Sequence, residues 1–461
     1  MFARTVHAVH RARLFVIRFV IRRAQCSASR YGCAVQQHPP PGSSFVTRRA
    51  LGKPPPQAAF DGIVLCSHFQ PIYSLPHQRQ VGYEALLRGV ASAGGLLAPF
   101  ELFAKAFVEN STGALDRLSH VTHLHNAAGW LPGQSWLFLN VTPASFIDPG
   151  YARQLADLAR ESGMRPEEIV IELLESGGND VCAFAQATQA FRSQGFLVAV
   201  DDFGAGHSNL DRLLTLRPDI VKLDRSLIHA HQPDLRESVM PKLVSLLHEA
   251  GMLVVAEGIE TKEDLLLAAR SGVDLVQGFL FGQPGPGSSP EEAATQQIES
   301  VFDTLAHTRQ TRELAVDLLL MPYRTRFAEA AERMWAGALP QRACEDLRAL
   351  PCTGSCFFLD QGGRECIPVI AGAGAAPIAP RLAPLSKPSI GRWDNRPYFV
   401  DALAHPQRLM VSAPYLSATG TGLCVTLSIF ISYRGDPIVF GADLDWERLA
   451  ASATGLLPPS A

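Results

Sequence analysis

From about Gly62 onward, apolar residues follow two rhythms that take turns along the chain. Short runs rich in Val, Ile, Leu and Phe are separated by longer stretches in which apolar positions recur every three or four residues, the pattern of a βα-repeating domain. The strand-like runs are Ile63–Cys66, Val81–Leu87, Trp136–Val141, Ile169–Leu173, Leu197–Val200, Ile220–Leu223, Leu253–Ala256 and Leu275–Phe279. Helical patterns between them include Glu101–Val108, Leu115–Ala127, Tyr151–Ser162, Ala183–Ser193, Leu235–Ala250 and Lys262–Arg270. Eight strands in about 225 residues predict an α/β fold, a TIM-type (β/α)8 barrel rather than an open sheet. Only Ser74–Gln80 joins the first two strands, too short for a parallel crossover, so one barrel strand should run antiparallel to its neighbours.

The turn formers of Gly282–Pro290 mark a linker. Beyond it, Glu291 to about Leu347 reads as helix, and Phe357–Trp446 as strands with turns at Gln361–Gly363 and Arg434–Asp436. The β candidates there are Phe357–Leu359, Met410–Pro414, Leu423–Ser432 and Ile438–Ala442. The expected organisation is a basic, Pro-rich head at 1–59, a barrel at 60–286, connecting helices at 287–350 and a smaller α+β domain at 351–461.

Composition changes this picture mainly through charge. Of 41 Lys/Arg and 44 Asp/Glu, residues 1–60 hold ten basic side chains and no acid, leaving 31 against 44 and a formal −13 for the remainder. An acidic body argues against duplex nucleic acid as a partner. Apolar residues at 47% and charged ones at 18% suit a globular chain. Leu14–Ile21 is split by Arg18 and followed by Arg22 and Arg23, so no transmembrane span is expected, its apolar core is too short for a signal peptide, and a cytoplasmic location follows. The head is read as disordered or as an overlong start, with a surface membrane tether as the functional alternative. Cys344, Cys352, Cys356 and Cys366 match no zinc spacing and are expected to be buried or half-buried thiols.

Candidate chemistry sits where the barrel strands end. Glu84, Asn140, Glu172, Asp201, Asp202, Lys222, Glu257 and Gln277 interrupt or follow the apolar runs, and strand C-termini build the catalytic face of a barrel. Five carboxylates in one mouth repel one another and are tolerated when a divalent cation neutralises them. A donor set of oxygens without Cys or His favours Mg²⁺ or Mn²⁺, and the adjacent Asp201 and Asp202 suit a two-ion site of the kind used for phosphoester hydrolysis. Taken singly, each acid could equally be a helix cap or a solvated loop residue.

The ordered set Tyr83-Glu-Ala-Leu-Leu-Arg88, Asn140, Ile171-Glu-Leu-Leu-Glu175, Asp201-Asp-Phe-Gly-Ala-Gly206, Val221-Lys-Leu-Asp224, Ala256-Glu-Gly-Ile-Glu260 and Gln277-Gly-Phe279 resembles the EAL domain of cyclic di-GMP phosphodiesterases, over about Phe60–Pro286. The resemblance implies metal-dependent hydrolysis of cyclic di-GMP to linear pGpG. It implies Glu84, Asn140, Glu172 and Asp201 as ligands of one metal and Asp201, Asp202 and Glu257 as ligands of a second. Lys222 then positions the attacking water, Glu257 is the alternative general base, and Glu175 braces the loop Asp202–Ser208. Gln70, Arg88, Asp224 and Gln277 fall to the substrate, the guanidinium being suited to a phosphate. A homodimer through the barrel is also implied.

Two positions depart from the family's habit: Ala205 stands where Thr is frequent and His207 where Tyr is frequent, which bears on loop closure and rate but removes no ligand. The segments Arg392–Phe399, Ser412–Ser417 and Ala442–Trp446 resemble PAS or Cache sensory modules, implying a small-molecule ligand and a regulatory role. The competing reading is that Trp393, Tyr398 and Trp446 only fill a core. No Gly-Gly-Asp/Glu-Glu-Phe signature occurs, so synthesis of the dinucleotide is not expected. The alternatives to an enzyme are a non-catalytic cyclic di-GMP receptor and a protein-interaction scaffold.

Overall fold

A computed structural model of the chain describes residues 58–91, 94–128, 130–131, 135–174, 180–205, 210–229, 233–287, 292–375, 391–416 and 422–451. The chain divides into two compact units, with the boundary between Leu305 and Ala306.

In the first unit eight strands close on themselves: β1 (Ile63–Ser74), β2 (Arg79–Val90), β3 (Trp136–Asn140), β4 (Ile169–Leu174), β5 (Leu197–Phe203), β6 (Ile220–Leu223), β7 (Leu253–Ala256) and β8 (Leu275–Val276). From β2 round to β8 each strand pairs parallel with the next. β1 pairs antiparallel with both β2 and β8, so the barrel has the one reversed strand that its short first connection demands. The last strand stops at Val276 instead of reaching Phe279, because Gln277 and the residues after it turn back onto the loop at Ile259.

Strand periodicity of two sorts the side chains. Outward residues such as Leu137, Ile171, Val198, Val221 and Val254 join the helices in one large core, while Ile72, Phe138, Val170, Ala199, Ile220, Val255 and Leu275 point inward and plug the barrel. Each such Val, Leu, Ile or Phe contributes about 1.5–3 kcal/mol by burial, and Phe138→Ala would cost about 3–5 kcal/mol. Gly82 completes this layer from β2, because a Cβ there would meet the Trp136 carbonyl oxygen at 2.7 Å and the Phe138 ring at 3.2 Å.

The second unit is built on a six-stranded antiparallel sheet, with β9 (Thr353–Leu359), β10 (Glu365–Ala371), β11 (Met410–Val411), β12 (Tyr415–Leu416), β13 (Leu423–Tyr433) and β14 (Asp436–Asp445). The order is β10-β9-β14-β13-β11, with β12 also on β13. Helix α1 spans Glu292–Trp335, and its later half lays Leu320, Tyr323, Phe327, Ala330 and Met334 on one sheet face. Phe327 stacks on Phe440 with ring centroids 4.3 Å apart. The opposite face carries the helix Pro397–Ala404 through Tyr398, Phe399 and Ala402. Met410–Pro414 is a strand only to Val411, and β10 and the Pro397–Ala404 helix arise where the pattern predicts neither. Tyr398 is buried in a core and Trp393 and Trp446 are partly buried against one. Cys344, Cys352 and Cys356 are buried free thiols, but Cys366 is exposed, on a strand that buries little. The basic head up to residue 57 and most of the Pro-rich Ala371–Pro388 segment lie outside the described residues. Among the described residues, no helix is long and apolar enough to cross a membrane.

Candidate functional site

The barrel's polar layer follows from the same period of two. Moving two residues toward the mouth from each inward apolar position gives Glu84 from Gly82, Asn140 from Phe138, Glu172 from Val170, Asp201 from Ala199, Lys222 from Ile220, Glu257 from Val255 and Gln277 from Leu275. On the reversed strand the step runs backward, from Ile72 to Gln70, which is directly opposite Glu84. A ring of polar side chains thus stands one layer above a dry plug.

Asp202 breaks the period. Consecutive strand residues point to opposite faces, so Asp201 inward would send Asp202 outward. The pairing of β5 with β6 shifts register between Val200 and Phe203, and Asp202 sits at φ 59° in the left-handed region. This bulge re-aims its carboxylate, bringing oxygens of Asp201, Asp202 and Glu257 within 4.8 Å of one another.

Lys222 is completely buried at the centre. Its Nζ lies 2.5 Å from Glu257 Oε1, 2.7 Å from Glu172 Oε1, 3.3 Å from Asp201 Oδ1 and 3.6 Å from Glu84 Oε2. Burial pushes its pKa down, but the surrounding Asp201, Glu172, Glu257 and Glu84 outweigh that and hold it well above the ordinary lysine value. Burial pushes the Glu257 carboxyl up; Lys222 opposes this, and Asp201, Glu84 and Asp202 add to it. Glu257 is also the most open of the four carboxylates around Lys222, with 20% of its side chain exposed against 0–5% for the others.

The amides knit the layer together. Asn140 Nδ2 donates to Glu84 Oε1 at 2.8 Å, and Gln277 Nε2 lies 2.7 Å from Glu84 Oε2 and 3.1 Å from Gln70 Oε1. Gln70 Nε2 donates to the Gly282 carbonyl at 3.2 Å. Arg88 stands on the same face as Glu84, four residues further along β2, where its Nη1 donates to the Leu87 carbonyl and its charge faces Cys66 and His68 across the hairpin. Asp224 caps the short helix Arg225–Ile228, its Oδ1 accepting the Ser226 N–H at 2.9 Å. Glu175, Gly206 and His207 lie outside the described residues.

The donor chemistry fits hard divalent cations. Five carboxylates and one ammonium leave a formal charge of −4, the donors are all oxygen, and ligand atoms of Asp201, Asp202 and Glu257 lie within 4.8 Å of one another.

The strand-end pattern misses a clamp behind Asn140. On the helix Thr112–Ala128, Asp116 and His120 are both buried. His120 Nε2 lies 2.8 Å from the Asn140 carbonyl, which only accepts, so Nε2 carries the proton and Nδ1 accepts the Tyr151 hydroxyl at 2.5 Å. Asp116 Oδ2 accepts the Thr142 N–H at 3.1 Å and its Oγ–H at 2.7 Å. The backbone is therefore held on both sides of Val141, immediately after Asn140. Nearby, His123 Nδ1 meets Ser67 Oγ at 2.7 Å, and burial, His120 and Arg88 push the pKa of His123 down to about 3. A polar stripe at Asp116, His120 and His123, spaced four and three, on the face that Leu115 and Leu124 mark as buried was the available signal.

The EAL domain family model matches residues 57–284. Over 232 residues the chain is 28% identical to the probable cyclic di-GMP phosphodiesterase PdeB of Escherichia coli K12, covering 50% of this chain and 44% of that protein. It is 27% identical over 233 residues to the cyclic di-GMP phosphodiesterase PdeL of the same organism, covering 48% and 62%. An uncharacterized Azorhizobium caulinodans protein is 31% identical over 235 residues, covering 48% and 32%. The chain thus spans under two thirds of the length of each. Among solved structures, the Bacillus subtilis YkuI protein, with an EAL domain and in complex with substrate c-di-GMP and calcium, shares the fold at a TM-score of 0.71 and 21% identity, over 84% of this chain and 96% of that one.

Proposed function

Residues 57–284 are an EAL domain, and from that premise we propose that the chain is a metal-dependent phosphodiesterase that opens one phosphodiester of cyclic di-GMP to give linear pGpG. The observation that carries the reading is the convergence of Glu84, Glu172, Asp201 and Glu257 on Lys222, beside the Asp201, Asp202 and Glu257 cluster.

Glu84, Asn140, Glu172, Asp201, Asp202 and Glu257 would hold Mg²⁺ or Mn²⁺, two ions by the charge count, which when bound neutralise phosphate charge and acidify a water. The chain's own groups do the rest. Glu257, the most open of the four carboxylates around Lys222, takes a proton from the attacking water. Lys222 fixes the spacing of four carboxylates and supplies the one positive charge that is always present. Arg88 offers a guanidinium to the second phosphate, while Gln70, Gln277 and Asp224 present amide and carboxylate groups to the guanine and ribose edges. The apolar plug keeps water from reaching the layer from below.

Dimerisation through the barrel, a small-molecule ligand of the second unit that regulates turnover, and a cytoplasmic location complete the proposal. Purified chain with Mg²⁺ or Mn²⁺ should convert cyclic di-GMP to pGpG, and Glu84→Ala should abolish conversion. Binding without product would make it a receptor, neither would make it a scaffold, and full activity in Glu84→Ala would mean the site is misplaced.

A further inference from the structure

The later half of α1 has a second apolar face that its sheet does not use. Leu320, Tyr323, Phe327, Ala330 and Met334 are buried, yet on the other side Leu314, Leu318 and Met321 are 58%, 54% and 55% exposed. Thr325 and Ala328 continue the line, both exposed. One exposed leucine is ordinary. Five residues spaced four, three, four and three, the large ones followed by two small ones, have the spacing of a seam between two coiled helices.

We propose that this seam pairs antiparallel with the same seam of a second copy of the chain. The flanking charges choose the occupant and the direction. Asp317 and Arg324 lie on one flank, where Arg324 Nη1 reaches Asp317 Oδ1 at 2.8 Å along the helix. In an antiparallel pair, flanks of the same kind face each other, so Asp317 of each copy meets Arg324 of the other when Leu318 packs on Met321 and Leu314 on Thr325. A parallel pair would instead bring the Glu332 carboxylates of the two copies together in the seam and set Asp317 against Pro322. From Leu314 to Ala328 the seam is roughly 21 Å long, which buries less than a standard interface and gives reversible association. The inference rests on the second unit alone and is independent of the catalytic reading.

The test is disulfide trapping in the full chain under mild oxidation, with the unaltered chain as control for native cysteines. Leu314→Cys/Thr325→Cys should form a covalent dimer, whereas either single variant should not, since the two positions are roughly 16 Å apart on one helix. Adding Leu318→Glu should cut the dimer about tenfold or more. As a second measurement, Asp317→Arg should weaken association in sedimentation, and Asp317→Arg/Arg324→Asp should restore it. Cross-linking of the single variants would indicate a parallel pair and overturn the proposal. So would the absence of any cross-link, or an intrachain link to Cys26 or Cys33, which would place the basic head on the seam.

Discussion

At the barrel mouth Glu84, Glu172, Asp201 and Glu257 surround one ammonium, whereas in the second unit the carboxyl of Asp443 lies among hydroxyls. Asp443 Oδ1 accepts the Thr426 Oγ–H at 2.6 Å, and Thr426 in turn lies 2.7 Å from the Tyr415 hydroxyl. Burial pushes the Asp443 pKa up to about 6, against the lowering pull of Thr426 and Tyr415. Both places bury acid, but only the mouth gathers more negative charge than its own cation cancels. A lone acid can be accommodated by holding its proton longer. A converging set facing one point is arranged for positive charge to arrive, and the difference separates a structural acid from a binding one.

Removing the lysine should break the comparison most severely. Lys222→Met leaves Glu172 and Asp201 buried without their ammonium and should cost about 3–5 kcal/mol in metal-free buffer. Millimolar Mg²⁺ or Mn²⁺ should recover part of that loss, read as a rise in urea midpoint that the second unit's variants do not show. A variant equally stable with and without divalent ions would mean that the carboxylates do not act as a charge cluster.

Asp443 gives the smaller counterpart. The unfolded chain releases this proton near pH 4 and the folded chain near pH 6, so between them the folded state binds more protons, and stability falls as pH rises through that window, then levels off. Asp443→Asn should remove the slope and stabilise the second unit by on the order of 1–3 kcal/mol above about pH 7. Denaturant midpoints followed from about pH 4 to 8 would show it, and an unchanged slope would place the acid's pKa elsewhere.

How far these contrasts could be read from sequence depends on whether a local period exposes them. Seven members of the polar ring were legible because each interrupts an apolar run that alternates inward and outward, and the reversed β1 followed from a connection too short to cross over. Asp202 was legible only as a residue type, since its direction is set by a bulge and a positive φ that no alternation encodes. The family resemblance makes Lys222 a partner for water, yet its contacts make it the hub of four acids, a long-range arrangement between strands. β10 escaped because only Ile370 of its seven residues is buried, and Pro368 argues against a strand, so pairing with β9 alone defines it. In the second unit Asp443 carried no signal, because the hydroxyls around it come from Thr426 on β13 and Tyr415 on β12, a strand the pattern does not predict.

The clamp on Asn140 tests whether the mouth's geometry is made by the strands alone. Asn140 ends β3, one residue before the last bond to β4, from the Val141 N–H to the Glu172 carbonyl, so the direction of its amide depends on what fixes its own carbonyl and the N–H of Thr142 beyond it. His120 and Asp116 supply both restraints from a helix outside the barrel, and neither reaches into the polar ring. Loosening them should therefore change how well the donors hold a cation more than what the chemistry does afterwards. His120→Phe should raise the Mn²⁺ concentration for half-maximal hydrolysis about 10–100-fold while turnover at saturating metal changes only a few-fold. Tyr151→Phe, which removes only the hydroxyl donated to His120 Nδ1, should shift it less in the same direction. A drop in turnover with unchanged metal dependence would show that the helix merely supports the fold, and that the strands by themselves aim Asn140 at Glu84.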